Sequence, residues 1–512
     1  MNILDCTLRD GGYYTNWDFD RSLVDIYIDS FNHLPVDYLE IGYRSNPQKE
    51  YLGEYFYCPL YVMERLYDQS NKKLAIILNE KDVRVTDAED LLNPCKGLID
   101  LVRIAVNPVN FSRALQLGEK IKAMGFDVSF NVMYMSEWEN YPEMLAQLQD
   151  VNGIADYLYL VDSFGGVFPE DVRKMIGLVK SKTDVKLGFH GHNNLELALA
   201  NTLIAMEEGV DIVDGTITGM GRGAGNLKTE LLLSVLNSKR ILDFDYNQLS
   251  RVTDPFEDLQ KHYGWGTSLP YIVSGANSIP QKQVMEWVTR RYYSFNSIIR
   301  ALSNQSKGVE DNEKLPGTDF IKRQKHKCAF IVGGGPSAIH HSEAIRTFLT
   351  RNPEIVLIHA SSKNALAFKE CRKKQYFCLV GNEGHRLERV FGQLRDMDAV
   401  CILPPYPRKM GTYIPESLKE SAFELSTVQF MDQLHDAHTT IAIQTAIELG
   451  VDELLFAGYD GYSGESISER EQELFNENEF TFAKAKNAGL TLKSLTPTKY
   501  RELDPSSVYA TL

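Results

Sequence analysis

The chain has 512 residues, 43% of them hydrophobic and 24% charged, the make-up of a globular protein with two or three domains. A formal net charge of -15 argues against nucleic acid or an anionic membrane as the main partner. No run reaches the ~18 apolar residues of a membrane span, and the first strand begins too early for a basic, apolar leader. The seven cysteines form no C-x-x-C pair, so reduced thiols in a cytoplasm are expected rather than disulfides or a zinc ribbon.

The first strand, "NILDCTL", runs into Arg9-Asp10 and is broken by two glycines. Further β-rich runs follow in order: "VDYLEIGY", "KLAIILN", "LIDLVRIAV", "FDVSFNVMY", "ADYLYLVDS", "VKLGFHGH" and "VDIVDGTIT". Between most of them lie segments with apolar residues at helical spacing, such as Leu195, Leu199, Leu203 and Met206. Eight alternations within about 230 residues predict a closed (β/α)8 TIM barrel over residues 1–235 rather than an open sheet. Helical patterns dominate 236–302, including the long run 281–304, and are expected to pack on the barrel. Residues 303–327 are polar and aperiodic, and read as a linker. A second α/β domain is expected over 328–512, an open parallel sheet with strands in "CAFIVGGG", "EIVLIHA", "YFCLVGN", "AVCILPP" and "ELLFAGYDG".

In such a barrel the strand ends converge on one mouth. The residues expected there are Arg9 and Asp10, Glu40, Arg103, Asp162 and Ser163, His190 and His192, and Asn226. Two histidines at i and i+2 of an extended chain face the same way. With Asp10 they make two nitrogens and one carboxylate oxygen, the set of a catalytic divalent-metal site with open positions. Manganese, magnesium, iron and zinc all suit these residue types.

"TLRDGG", "GFHGHNN" and "GMGRGAGN" together resemble the DRE-TIM metallolyase (HMGL-like) family over roughly residues 1–275. The resemblance is nearest to its 4-hydroxy-2-oxovalerate aldolase-like members, here followed by a Rossmann-like domain. It implies that Asp10, His190 and His192, with Asn226 in some members, hold a divalent metal, Mn2+ or Mg2+ before Zn2+. It also implies that Arg9 steadies an enolate oxygen during carbon–carbon cleavage of a 2-oxo acid, with Arg103 and Ser163 near the substrate carboxylate. Glu40 is read as holding a metal-bound water or pairing with Arg9. Tyr13 stands where the aldolases carry their histidine base, so its role is either proton transfer or aromatic packing. Tyr271, in the segment Tyr263–Gly275, either lends a hydroxyl to the site or packs in the core.

In the C-terminal domain the turn Gly333, Gly334, Gly335 with Ser337 is a candidate phosphate or nucleotide site, and the domain faintly resembles sialyltransferase-type domains. Three functions stay open. The first is a metal-dependent aldolase or lyase acting on a small 2-oxo acid. The second is a Claisen-type acyl-CoA condensing enzyme. The third is an inactive barrel whose C-terminal domain binds a nucleotide or nucleotide sugar. A homo-oligomer also stays open.

Overall fold

The structure, a computed structural model, describes residues 1–49, 51–289, 295–308, 314–318, 326, 328–381, 383–391, 398–408, 412–462 and 469–512. It divides into two compact units, Met1–Glu286 and Trp287–Leu512. Among the described residues no helix is long and apolar enough to cross a membrane. All seven cysteines are free thiols.

In the first unit eight strands close a barrel: β1 (Asn2–Asp5), β2 (Tyr38–Tyr43), β3 (Lys73–Asn79), β4 (Leu101–Val106), β5 (Asp127–Val132), β6 (Tyr157–Asp162), β7 (Lys186–Gly191) and β8 (Ile212–Gly215). Every neighbouring pair is parallel, and β8 returns to β1 with Asn2 opposite Ile212 and Asp5 opposite Gly215. Side chains alternate across each strand. Leu39, Val102, Ile104 and Val213 point outward into the layer under the helices. Leu4, Tyr38, Ala75, Leu101, Tyr157 and Ile212 point inward and form a small apolar floor. One step further along the inward parity come Glu40, Arg103, Tyr159 and Asp214, so the even-numbered strands put a polar layer directly above that floor.

A register shift in β2 falls between Glu40 and Gly42. Only glycine fits there, because Gly42 has φ +154° and a Cβ would lie 1.9 Å from the Tyr55 carbonyl oxygen.

The first motif differs from its expected geometry. β1 ends at Asp5, and Thr7–Thr15 is a helix, so Arg9 and Asp10 sit in its first turns rather than on a strand. Gly11 and Gly12 are helical residues, not breakers. A Cβ on Gly12 would lie 2.1 Å from the Trp17 ring, so this glycine is there for close packing.

Beyond the barrel lie helices Tyr246–Tyr263, Leu269–Ala276, Gln281–Thr289 and Phe295–Ser306. Of the expected helix 281–304, residues 290–294 lie outside the described residues, as do 309–313, 319–325 and 327 of the expected linker.

The second unit holds an open, all-parallel sheet of β9 (Ala329–Val332), β10 (Val356–His359), β11 (Gln375–Cys378), β12 (Ala399–Leu403), β13 (Ala422–Glu424), β14 (Glu453–Ala457), β15 (Thr491–Ser494) and β16 (Asp504–Pro505). The order is β13-β12-β11-β10-β9-β14-β15-β16, so the winding reverses between β9 and β14. Strands β13, β15 and β16 were not expected from the sequence. They are two to four residues long and lie toward the two edges of the sheet, too short for a periodic signal.

One carboxylate ties β1 to three helices. Asp5 accepts hydrogen bonds from Thr229 Oγ1 (2.6 Å), Thr7 N (2.9 Å), Thr7 Oγ1 (2.6 Å) and Tyr27 OH (2.7 Å). Burial nevertheless pushes its carboxyl up to about 6. The native state therefore holds this proton more tightly than the unfolded chain. Its contribution to stability is full below about pH 4 and is lost as pH rises through 6. The stability difference between wild type and Asp5→Asn, from urea denaturation, is expected to shrink by roughly 3 kcal/mol between pH 4 and pH 7. A pH-independent difference would contradict this.

Candidate active site

The polar layer and the helix Thr7–Thr15 meet in a closed circuit of charge. Arg9 pairs through Nη1 with Asp10 Oδ1, and Arg9 Nε donates to Glu40 Oε2 at 2.6 Å. Glu40 Oε1 lies 3.1 Å from Arg103 Nη1, and Arg103 Nη2 donates to Asp214 Oδ2 at 2.5 Å. Asp214 Oδ2 also accepts from His190 Nδ1 at 2.8 Å, and His190 Nε2 faces Asp10 Oδ2 at 3.6 Å, which closes the ring. All six residues are buried. Three carboxylates meet two guanidiniums, so with a neutral imidazole the ring carries one net negative charge.

Asp10 shows how the ring works. Burial would push it up, but Arg9, the two histidines and the Asn226 amide outweigh burial and hold it below the usual carboxylate range. Asp214 is held low in the same way, with Arg103 and His190 opposing burial. Burial, helped by His190, brings His192 down to about 3, so its ring is neutral at neutral pH.

Each histidine spends one nitrogen on the protein. His190 Nδ1 donates to Asp214, and His192 Nδ1 donates to the Asp162 carbonyl at 2.6 Å. Both tautomers are thereby fixed with the Nε2 lone pair free, the arrangement that a ligating histidine needs. The ring centroids are 5.0 Å apart. Asn226 Nδ2 donates to Asp10 Oδ2 at 2.6 Å, and its buried Oδ1 has no hydrogen-bond partner. Two imidazole nitrogens, a carboxylate and an unsatisfied amide oxygen fit a divalent cation.

Cys6, His190 and Asp214 also place ligand atoms within 4.8 Å of one another. That trio is a poorer cage. Asp214 Oδ2 is already committed to His190 and Arg103, and burial holds the Cys6 thiol well above its ordinary value.

The remaining expected residues divide. Arg103 is not at a strand end: it lies mid-strand in β4, wholly buried, with its guanidinium 4.3 Å over the Tyr159 ring. Both oxygens of Glu40 face arginines, so it positions those cations. Ser163 Oγ accepts from Tyr134 N at 2.9 Å, just past β6. Tyr13 OH lies 3.1 Å from Tyr43 OH, with its ring edge-on to Trp17. Tyr271 is buried, and its hydroxyl is hydrogen-bonded to that of Tyr14. The sequence reading missed Asp214, which was legible as the next inward position after Ile212, and Tyr43, which carried no local signal.

In the second unit the glycine turn departs from a phosphate cradle. Gly333 N and Gly335 N donate to Ala457 O and Gly458 O, both at 2.8 Å. Ser337 N and Oγ donate to Asp460 at 3.1 and 2.9 Å, so a carboxylate already occupies the anion position. A Cβ on Gly335 would lie 2.0 Å from Asp460 Oδ2, so this glycine lets the loops after β9 and β14 approach. Beside them is a crevice of about 470 Å3 lined by Lys363, Arg386, His438, Glu477 and Tyr500 among others.

Breaking the charge circuit at its centre exposes what it holds. Arg103→Met leaves buried Asp214 with only the His190 imidazole and buried Glu40 with only Arg9, and is expected to cost about 3–5 kcal/mol in denaturant unfolding. Arg173→Ala, which removes the exposed pairs to Glu207 and Glu208, is expected to leave the unfolding midpoint nearly unchanged. Equal costs would contradict the circuit.

Residues 104–254 match the HMGL-like family profile. The chain is 31% identical over 249 residues to an oxaloacetate decarboxylase of Mycobacterium tuberculosis, covering 46% of this chain and 70% of that protein. It is 32% identical over 242 residues to a 4-hydroxy-2-oxovalerate aldolase of Geobacillus thermodenitrificans, covering 46% of this chain and 69% of the relative. It is also similar to a solved structure, the N-terminal domain of a proposed aldolase from Bacteroides vulgatus. The identity is 54% and the TM-score 0.56, covering 59% of this chain and all of that one. With its closed barrel and these relatives, the chain belongs to the HMGL-like family.

Proposed function

We propose that the barrel is a divalent-metal-dependent carbon–carbon lyase that cleaves a 4-hydroxy-2-oxo acid to pyruvate and an aldehyde. The observation that carries this reading is the pair of histidines with both Nδ1 atoms spent on Asp214 and Asp162 O, beside Asp10 and the unsatisfied Asn226 Oδ1. Asp10, His190, His192 and Asn226 would hold the cation. When bound, it supplies Lewis-acid polarisation of the 2-oxo group.

The chain's own residues do the rest. Arg9 commits Nε to Glu40 and Nη1 to Asp10, which leaves Nη2 with no acceptor among the described residues. That N–H is the donor for negative charge growing on the 2-oxo oxygen as the C3–C4 electron pair moves toward C2, and its carboxylate clamp holds it there before reaction begins. Tyr13, whose hydroxyl is 3.1 Å from that of Tyr43, is placed to pass on the proton leaving the 4-hydroxyl, which is returned to C3 as pyruvate forms, so the cleavage consumes no net base. The rings of Trp17, Tyr43 and Phe56 pack together beside Tyr13, with centroids 4.9–5.7 Å apart, and help keep water from the reacting bond. Relatives named as an aldolase and as a decarboxylase of 2-oxo acids support the same substrate class.

Pyruvate release from 4-hydroxy-2-oxopentanoate is expected with Mn2+ and is expected to be lost with EDTA. Tyr13→Phe is expected to lower kcat at least about 100-fold with little change in KM. Asp214→Asn is expected to weaken Mn2+ binding by about 10–100-fold in calorimetry, because it removes the carboxylate that orients His190. Thiol release from acetyl-CoA in place of pyruvate release would reject the lyase in favour of a condensing enzyme.

A further inference from the structure

Arg9 and Arg103 each pair with two carboxylates, but a third arginine at the barrel mouth does not. Arg222 stands in the loop between β8 and Asn226, half-buried, with its guanidinium carbon 4.0 Å from the centroid of the Tyr13 ring. Among the described residues, no carboxylate lies within ion-pair distance of it and no acceptor is hydrogen-bonded to its side chain. Its charge is felt by His192 and Tyr134, which places it beside the proposed metal ligands.

The loop that presents Arg222 is braced. Its carbonyl accepts from Gly225 N at 3.1 Å, and the Gly223 carbonyl accepts from Tyr14 OH at 3.2 Å. Gly221 and Gly223 leave no room for side chains: a Cβ would lie 2.5 Å from Asn226 and 2.8 Å from Gln281 respectively, and Gly223 has φ +66°. A guanidinium set this firmly among three tyrosines has lost much of its water without gaining an anion. Its planar fork matches a carboxylate.

We propose that Arg222 binds a second anionic group at the far end of the substrate, so that the site selects a 2-oxo acid with a distal carboxylate over one with a neutral tail. This rests on the 2-oxo acid reading above, which puts the near end of the substrate beside Arg9. The far end then reaches past Tyr13 to the guanidinium stacked on it. Because the surrounding wall is aromatic, a neutral tail also finds contact, and the guanidinium alone supplies the discrimination.

The test uses two non-cleavable five-carbon acids, 2-oxoglutarate and 2-oxopentanoate, which differ in the group at C5. Their dissociation constants are measured by calorimetry on the full chain loaded with Mn2+. Wild type is expected to bind 2-oxoglutarate at least about tenfold more tightly. Arg222→Gln is expected to bring the two within about twofold, and Arg222→Lys, which keeps the charge but not the fork, to fall between. Equal affinities in wild type, no binding of either acid, or an equal loss for both in Arg222→Gln would overturn the proposal. Neither acid has a 4-hydroxyl, so the outcome is independent of cleavage. Selective binding without pyruvate release from either 4-hydroxy-2-oxopentanoate or 4-hydroxy-2-oxoglutarate would reject the lyase and keep the role of Arg222.

Discussion

A ring of buried charge holds this barrel mouth together. Asp10, Arg9, Glu40, Arg103, Asp214 and His190 follow one another around it: Glu40 lies between two arginines, and Asp10 and Asp214 each lie between an arginine and the His190 imidazole. Inside a protein an unpaired charge is far more costly than in water, so no member can be removed without stranding its neighbours. The constraint reaches the proposed chemistry directly. Glu40 and Asp10 hold Arg9 so that its Nη2 end remains to be offered. Asp214 balances Arg103 and at the same time fixes the tautomer of His190. One set of pairings thus supports the core and aims the site.

The charge surplus has a direction. Three carboxylates against two guanidiniums leave a negative centre where the free histidine nitrogens and Asn226 converge, a setting suited to a cation. Arg222 lies outside this ring, stacked on Tyr13 with no carboxylate in ion-pair distance among the described residues. The mouth is therefore polarised, acidic at the proposed metal ligands and basic at the aromatic rim. A molecule with negative charge at both ends meets complementary groups at each.

Much of this was legible in the sequence, and the misses have physical causes. The eight barrel strands are continuous β-rich runs divided by helical periodicity, and every one falls within the expected stretch because the strands are buried on both faces. The histidine pair was visible because period two is exact. Arg9 and Asp10 were assigned to a strand because "TLRDGG" reads as a breaker, whereas Gly11 and Gly12 are helical and admit Met220 and the Trp17 ring. Arg103 is expected at a strand end, but its strand runs on to Val106, and the structure shows it enclosed between Glu40 and Asp214. In the second unit the glycines after β9 suggested a phosphate cradle, but the carboxylate that occupies the turn comes from Asp460, more than a hundred residues away. A distant partner of that kind leaves no local pattern.

The most direct measurement is anomalous X-ray diffraction at the manganese edge on crystals grown with Mn2+. A single peak bounded by Asp10, His190 and His192, with Asp214 still hydrogen-bonded to His190, is the expected result. A peak held instead by Cys6, His190 and Asp214, or none at the barrel mouth, would contradict it.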